Sequence, residues 1–176
     1  MDYKTYINST IPRKKYELIR INKDGYCCYN TILYILKKYN LVSKYINPIH
    51  ILRKASKWIE ENRNKYIQMC DDTIENIVLY THSLEDFDEY KLLYRTYNFN
   101  IPWGGLPEFI ALSNLYNINI NIYTYHSYSK KNKQIINCNN LNYKTGRYKL
   151  KLCIKDNYKY KCNILWTNNN HFDILI

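Results

Sequence analysis

No run of apolar residues in this 176-residue sequence reaches the roughly 20 needed to cross a bilayer. The opening Met1-Asp2-Tyr3-Lys4-Thr5-Tyr6 has no apolar core of a secretory signal. The expectation is a soluble, cytoplasmic chain with no membrane contact. No C-x-x-C pair occurs among the six cysteines, and the four histidines at 50, 82, 126 and 171 do not cluster near Cys153 and Cys162. That pattern argues against a structural zinc site, and nothing else calls for a metal or cofactor. Without a secretory signal, all the cysteines but Cys27 read as reduced, mostly buried thiols. There is no internal repeat and no interdomain linker. The length suits one domain, and an apolar share of 46% gives it a core to bury.

The formal net charge is +11, which invites a nucleic-acid reading. The lysines are scattered, however, and form no long basic block. Abundant Asn, Lys, Ile and Tyr match what an AT-rich genome encodes, so the charge needs no functional cause. Residues 60–90 go against the general trend. They hold nine acidic side chains, among them Asp71, Asp72, Glu75, Asp86, Asp88 and Glu89, opposed only by Arg63 and Lys65. Such a lobe suits a basic partner or a solvated helical surface.

Periodicity divides the chain in two. Residues 16–21 read as a short strand. Helical patterns follow at 27–39, 49–66, 72–80 and 84–97, the last capped by Ser83. Pro102-Trp103-Gly104-Gly105-Leu106-Pro107-Glu108 is a turn leading into a further helix. Pro107 fits its first position, Glu108 favours its positive end, and Asn117 stops it. After residue 118 the period becomes two, with strands at 118–124, 133–138, 147–154, 161–167 and 171–176. Helices first and strands last predict an α+β fold, with about five mostly antiparallel strands packed between helices.

Cys27 opens an apolar helical run, where exposed N–H groups and the helix dipole favour a thiolate, the nucleophilic form. At the far end, alternation puts Phe172, Ile174 and Ile176 on one strand face, toward the core. His171 and Asp173 share the other face, the carboxylate beside the imidazole. Such a pair supplies a base and its orienter, with Asp24 or a turn asparagine as alternative third group. Cys28, rotated about 100° from Cys27 around the helix, packs inward.

Three blocks carry a family resemblance. Asp24-Gly25-Tyr26-Cys27-Cys28-Tyr29-Asn30, Trp103-Gly104-Gly105-Leu106-Pro107-Glu108-Phe109-Ile110-Ala111-Leu112-Ser113, and Ile164 through Asp173 follow in the order seen in ovarian-tumour (OTU) cysteine proteases. The chain resembles that family over about residues 20–176. Most of its members are deubiquitinases.

The resemblance implies a single catalytic domain over 1–176, with 1–20 as an N-terminal extension or edge strand. It implies Cys27 as nucleophile, His171 as base and then acid, and Asp173 as orienter. The oxyanion donors would be backbone N–H groups of Asp24, Gly25, Tyr26 and Cys27, and Trp103 would line the active-site wall. Glu108 reads as structural. The partner implied is ubiquitin or polyubiquitin, or a ubiquitin-like modifier, met by a monomer in cytoplasm, host cytoplasm if the source is a virus or bacterium. The acidic residues named above would hold ubiquitin's basic face. Tyr26 departs from the usual small or polar residue before the cysteine, and can narrow the entrance. Lys23 replaces a small residue. The rival readings are a non-catalytic ubiquitin-binding module and a basic nucleic-acid-binding domain.

Overall fold

The computed structural model describes residues 10–11, 17–95, 103–128, 135–136, 147–155, 157–167 and 171–176. After short strands β1 (Thr10–Ile11) and β2 (Leu18–Ile19) comes α1 (Cys27–Lys38). This helix is apolar around most of its circumference, so it is buried on nearly every turn and lies at the centre. α2 (Pro48–Glu61) is amphipathic and buries Ile51, Leu52, Ala55 and Ile59. Asn47 caps it, its side chain accepting from the His50 N–H at 3.1 Å. The helix stops at Glu61, short of the expected residue 66, because Asn62 folds back to donate to the Trp58 carbonyl at 2.8 Å. A two-stranded ribbon follows, β3 (Tyr66–Ile67) against β4 (Asp72–Thr73). Residues 72 and 73 are therefore strand. α3 (Ile74–His82) begins after them, with Thr73 as its cap.

Ser83 does not cap the next helix as its sequence position suggests. It adopts the left-handed conformation (φ 55°) and closes α3 instead. Asp86 takes over as cap of α4 (Phe87–Arg95), accepting from the N–H groups of Asp88 at 2.8 Å and Glu89 at 3.0 Å. The expected residues 96 and 97 lie outside the described residues. α5 (Leu106–Tyr116) ends, as its sequence implies, at Asn117 with φ 51°.

The longer strands are β5 (Ile118–Tyr128), β7 (Arg147–Ile154), β8 (Tyr160–Thr167) and β9 (His171–Leu175). Of the strand expected at 133–138, β6 (Ile135–Ile136) is described, paired with β5. The main sheet runs β1-β7-β5-β8-β9-β2. Its pairings are antiparallel except β5 with β8, which run parallel. β9 is thus sandwiched between β8 and the edge strand β2.

α1 lies against β8 and β9, α5 against β5 and β7, and α2 contacts both helices. One sheet face, with Ile118, Ile120, Cys162, Ile164 and Ile174, supplies the core under these helices. The alternation in β9 is real, but its expected contrast in exposure is absent. All five residues of the strand are buried, Asp173 completely. No described helix is long and apolar enough to cross a membrane.

Candidate active site

The loop before α1 is shaped by Asp24 and Gly25. Gly25 sits at φ 82°, a region that a side chain disfavours. Asp24 Oδ1 accepts the Tyr26 N–H at 2.9 Å, and both its oxygens take the Asn30 amide, at 3.3 and 3.2 Å. The Tyr26 N–H is committed to a carboxylate, which leaves the amides of Asp24, Gly25 and Cys27 from the expected oxyanion set. The Tyr26 ring is half buried and packs against the core.

Cys27 is the first residue of α1 and is 6% exposed. Burial pushes its thiol above the ordinary range. The backbone N–H groups of Phe172, Cys28 and Cys27 itself oppose that rise, and the nearby Asp24 carboxylate adds to it. Burial thus works against the thiolate that the helix start favours. Cys28 packs inward as expected, fully buried. It lies so close under Gly104 that a Cβ there would come within 2.7 Å of its sulfur. The Trp103-Gly104-Gly105 turn rests directly on the first turn of α1 for that reason.

β9 brings the partners. Phe172 borders Cys27 through its backbone, and Thr31 Oγ1 donates to the Cys27 carbonyl at 2.6 Å. His171 Nε2 lies 3.0 Å from Asp173 Oδ1. A carboxylate accepts, so Nε2 carries the proton and Nδ1 is the basic nitrogen of the neutral ring. Asp173 also accepts from the Ile21 N–H at 2.9 Å on Oδ1 and from Arg20 Nη1 at 3.2 Å on Oδ2. Neither Arg20 nor Ile21 is signalled in the sequence. Only the pairing of Leu18 with Leu175 and Ile19 with Ile174 carries them to this carboxylate.

Trp103 is 55% exposed. It borders a cavity of about 450 Å³ lined also by Gly104, Phe109, Lys151, Trp166 and Phe172. Phe109 and Phe172 meet edge to face at 4.9 Å. The cavity is thus apolar, starts one residue from His171, and has a cation at one side. Lys151 stands 4.0 Å over the Trp166 ring.

The three sequence blocks converge here: the glycine turn packs on Cys28, and Phe172 of the histidine strand borders Cys27. No family model and no curated protein match the sequence. Solved structures do. An OTU deubiquitinase from Wolbachia pipientis wMel is 15% identical, with a TM-score of 0.57, over 94% of this chain and 90% of that one. The OTU domain of OTUD1 is 15% identical, TM-score 0.54, over 93% and 87%. The Hazara virus OTU bound to ubiquitin is 17% identical, TM-score 0.51, over 96% and 86%. The chain has the OTU fold. Within that fold, Cys27, His171 and Asp173 are the candidate catalytic set of this chain.

The acidic candidates are dispersed over α3, α4 and the ribbon, each with a local partner. Tyr66 donates to Asp71, and Asp72 takes the Asn76 amide at 2.7 Å. Glu75 pairs with Arg63 at 3.2 Å, Asp88 with Lys91 at 2.8 Å, and Glu89 accepts the Glu85 N–H at 2.9 Å. Asp86 caps α4. Four of the six, Asp71, Asp86, Asp88 and Glu89, are exposed.

Proposed function

We propose that this OTU domain is a deubiquitinase, a cysteine protease acting within residues 1–176 as one catalytic domain. It hydrolyses the isopeptide or peptide bond that follows the terminal Gly-Gly of ubiquitin or polyubiquitin, in a cytoplasm. The observation that carries this reading is the His171–Asp173 hydrogen bond on a strand whose middle residue of the three, Phe172, borders the Cys27 thiol.

The chemistry follows from those atoms. His171 Nδ1 takes the thiol proton. The thiolate attacks the Gly carbonyl, and the oxyanion is met by the N–H groups of Gly25 and Cys27. The imidazolium, held by Asp173, protonates the leaving amine. Water then enters, loses its proton to Nδ1, and releases ubiquitin from the acyl-enzyme.

A ubiquitin probe bearing a C-terminal electrophile tests the reading. The chain is expected to form a covalent adduct that Cys27→Ala abolishes, and to cleave at least one linkage in a panel of di-ubiquitins. Binding without any adduct from the wild-type chain would make it a ubiquitin-binding module instead. Retention on nucleic acid in place of ubiquitin would favour the basic-domain reading.

Asp71, Asp72, Glu75, Asp86, Asp88 and Glu89 are proposed to face ubiquitin's basic surface. Reversing the exposed four to lysine should raise KM about tenfold at low salt and less at high salt, with kcat retained. An unchanged KM and salt response would remove that face from the proposal.

A further inference from the structure

Asp173 is more than the third member of a dyad-plus-orienter. Its side chain is fully buried, and a buried carboxylate needs a counter-charge. His171, itself only 8% exposed, supplies one only while protonated. Arg20 supplies a permanent one at 3.2 Å on the oxygen that His171 does not use. The Ile21 N–H completes the set on the shared oxygen at 2.9 Å. Arg20, just after β2, is the charged side chain that reaches the pair. From β8, Leu165 and Thr167 stand opposite Asp173 and His171 and carry no charge.

We propose that Arg20 is a positioning residue of the active site, holding the Asp173 carboxylate aimed at His171. The proposal rests on the deubiquitinase reading for its substrate. The guanidinium occupies Oδ2, so Oδ1 stays turned to His171 Nε2–H and Nδ1 stays the basic nitrogen through the cycle. The short path from Arg20 to Cys27 is fixed at both ends, by Asp173 at one and by the Asp24 turn at the other.

In Arg20→Gln the carboxylate loses its charged anchor on Oδ2. At neutral pH kcat should fall about 10-fold or more, with KM within about twofold. Arg20→Lys should restore part of kcat, because it returns the charge without the planar fork. Arg20→Gln also takes the permanent counter-charge from a buried carboxylate, so its melting temperature should fall and Arg20→Lys should recover it.

The His171 ring N–H resonance, assigned with His171→Gln, reads the same loss by NMR at one pH without substrate, as broadening or an upfield move in Arg20→Gln. A chain that never cleaves ubiquitin but shows that change would sink the substrate and keep the positioning role. Wild-type kcat and a wild-type ring N–H resonance in Arg20→Gln would overturn the role itself, whatever the substrate.

Discussion

Glu108→Ala is expected to cost about 3–5 kcal/mol in chemical denaturation, enough to unfold a marginal domain. The carboxylate is fully buried in α5. It accepts from Tyr94 OH at 2.6 Å, Tyr90 OH at 3.1 Å, His82 Nε2 at 3.0 Å and the Gly105 N–H at 2.6 Å. Truncation leaves four donors facing a void, from α3, α4 and the glycine turn at once. Tyr29 of α1 joins the set through a 3.2 Å contact with Tyr94, so the loss reaches the helix that carries Cys27.

The same cluster fixes a pH dependence. Burial alone would lower the His82 pKa, but Glu108 raises it above the ordinary 6.5. Burial alone would raise that of Glu108, but His82, Tyr94 and the Gly105 N–H hold it below 4.5. A raised histidine contributes its stability fully below its unfolded value and loses it as pH climbs through the folded one. A lowered carboxylate contributes above its unfolded value and loses it as pH falls through the folded one. Both contributions are complete between 4.5 and 6.5, and denaturation midpoints should be highest there. His82→Gln should flatten the descent on the alkaline side. A descent of wild-type steepness in that variant would disconnect the pair from stability.

Asp173→Ala is expected to reduce kcat on di-ubiquitin by up to about 10⁴-fold, on the scale seen when a triad carboxylate is neutralised. Ring orientation and tautomer both depend on this one acceptor. Asp173→Asn is the more informative change. An asparagine can keep its carbonyl toward His171 Nε2 and the Ile21 N–H, but then its amide nitrogen meets Arg20 Nη1, donor against donor. The asparagine variant should therefore be impaired as well. Adding Arg20→Gln should return part of the lost kcat, since the shorter amide side chain carries a carbonyl that can accept from the asparagine nitrogen. Purely additive losses in the double variant would contradict this arrangement.

The positions of Cys27, His171 and Asp173 were legible because local rules place them: an apolar run with a turn before it, and a period-two strand. Asn117 as a helix stop and Cys28 as packing were legible for the same reason. The failures occur where a residue had two possible local partners. Ser83 and Asp86 both stand before α4, and the carboxylate won the cap, leaving Ser83 in a left-handed turn. Asn62 ended α2 early by turning onto Trp58. Sharing of Asp173 was invisible, because Arg20 reaches it only through a sheet edge formed by residues far away in sequence. The Glu108 cluster was half visible. Its bond to Gly105 is a neighbouring cap, but His82, Tyr90 and Tyr94 meet it only once three helices have packed.

The bond from Arg20 to Asp173 spans 153 residues, and β2 can form only on a completed β9. An active centre stitched from segments so far apart cannot mature while the chain between them is being made. During synthesis the thiol waits without its base, and its base without an anchor, until β9 has left the ribosome. Loop closure over that distance slows the final step. If the chain is the protease proposed above, its activity should therefore appear late and all at once.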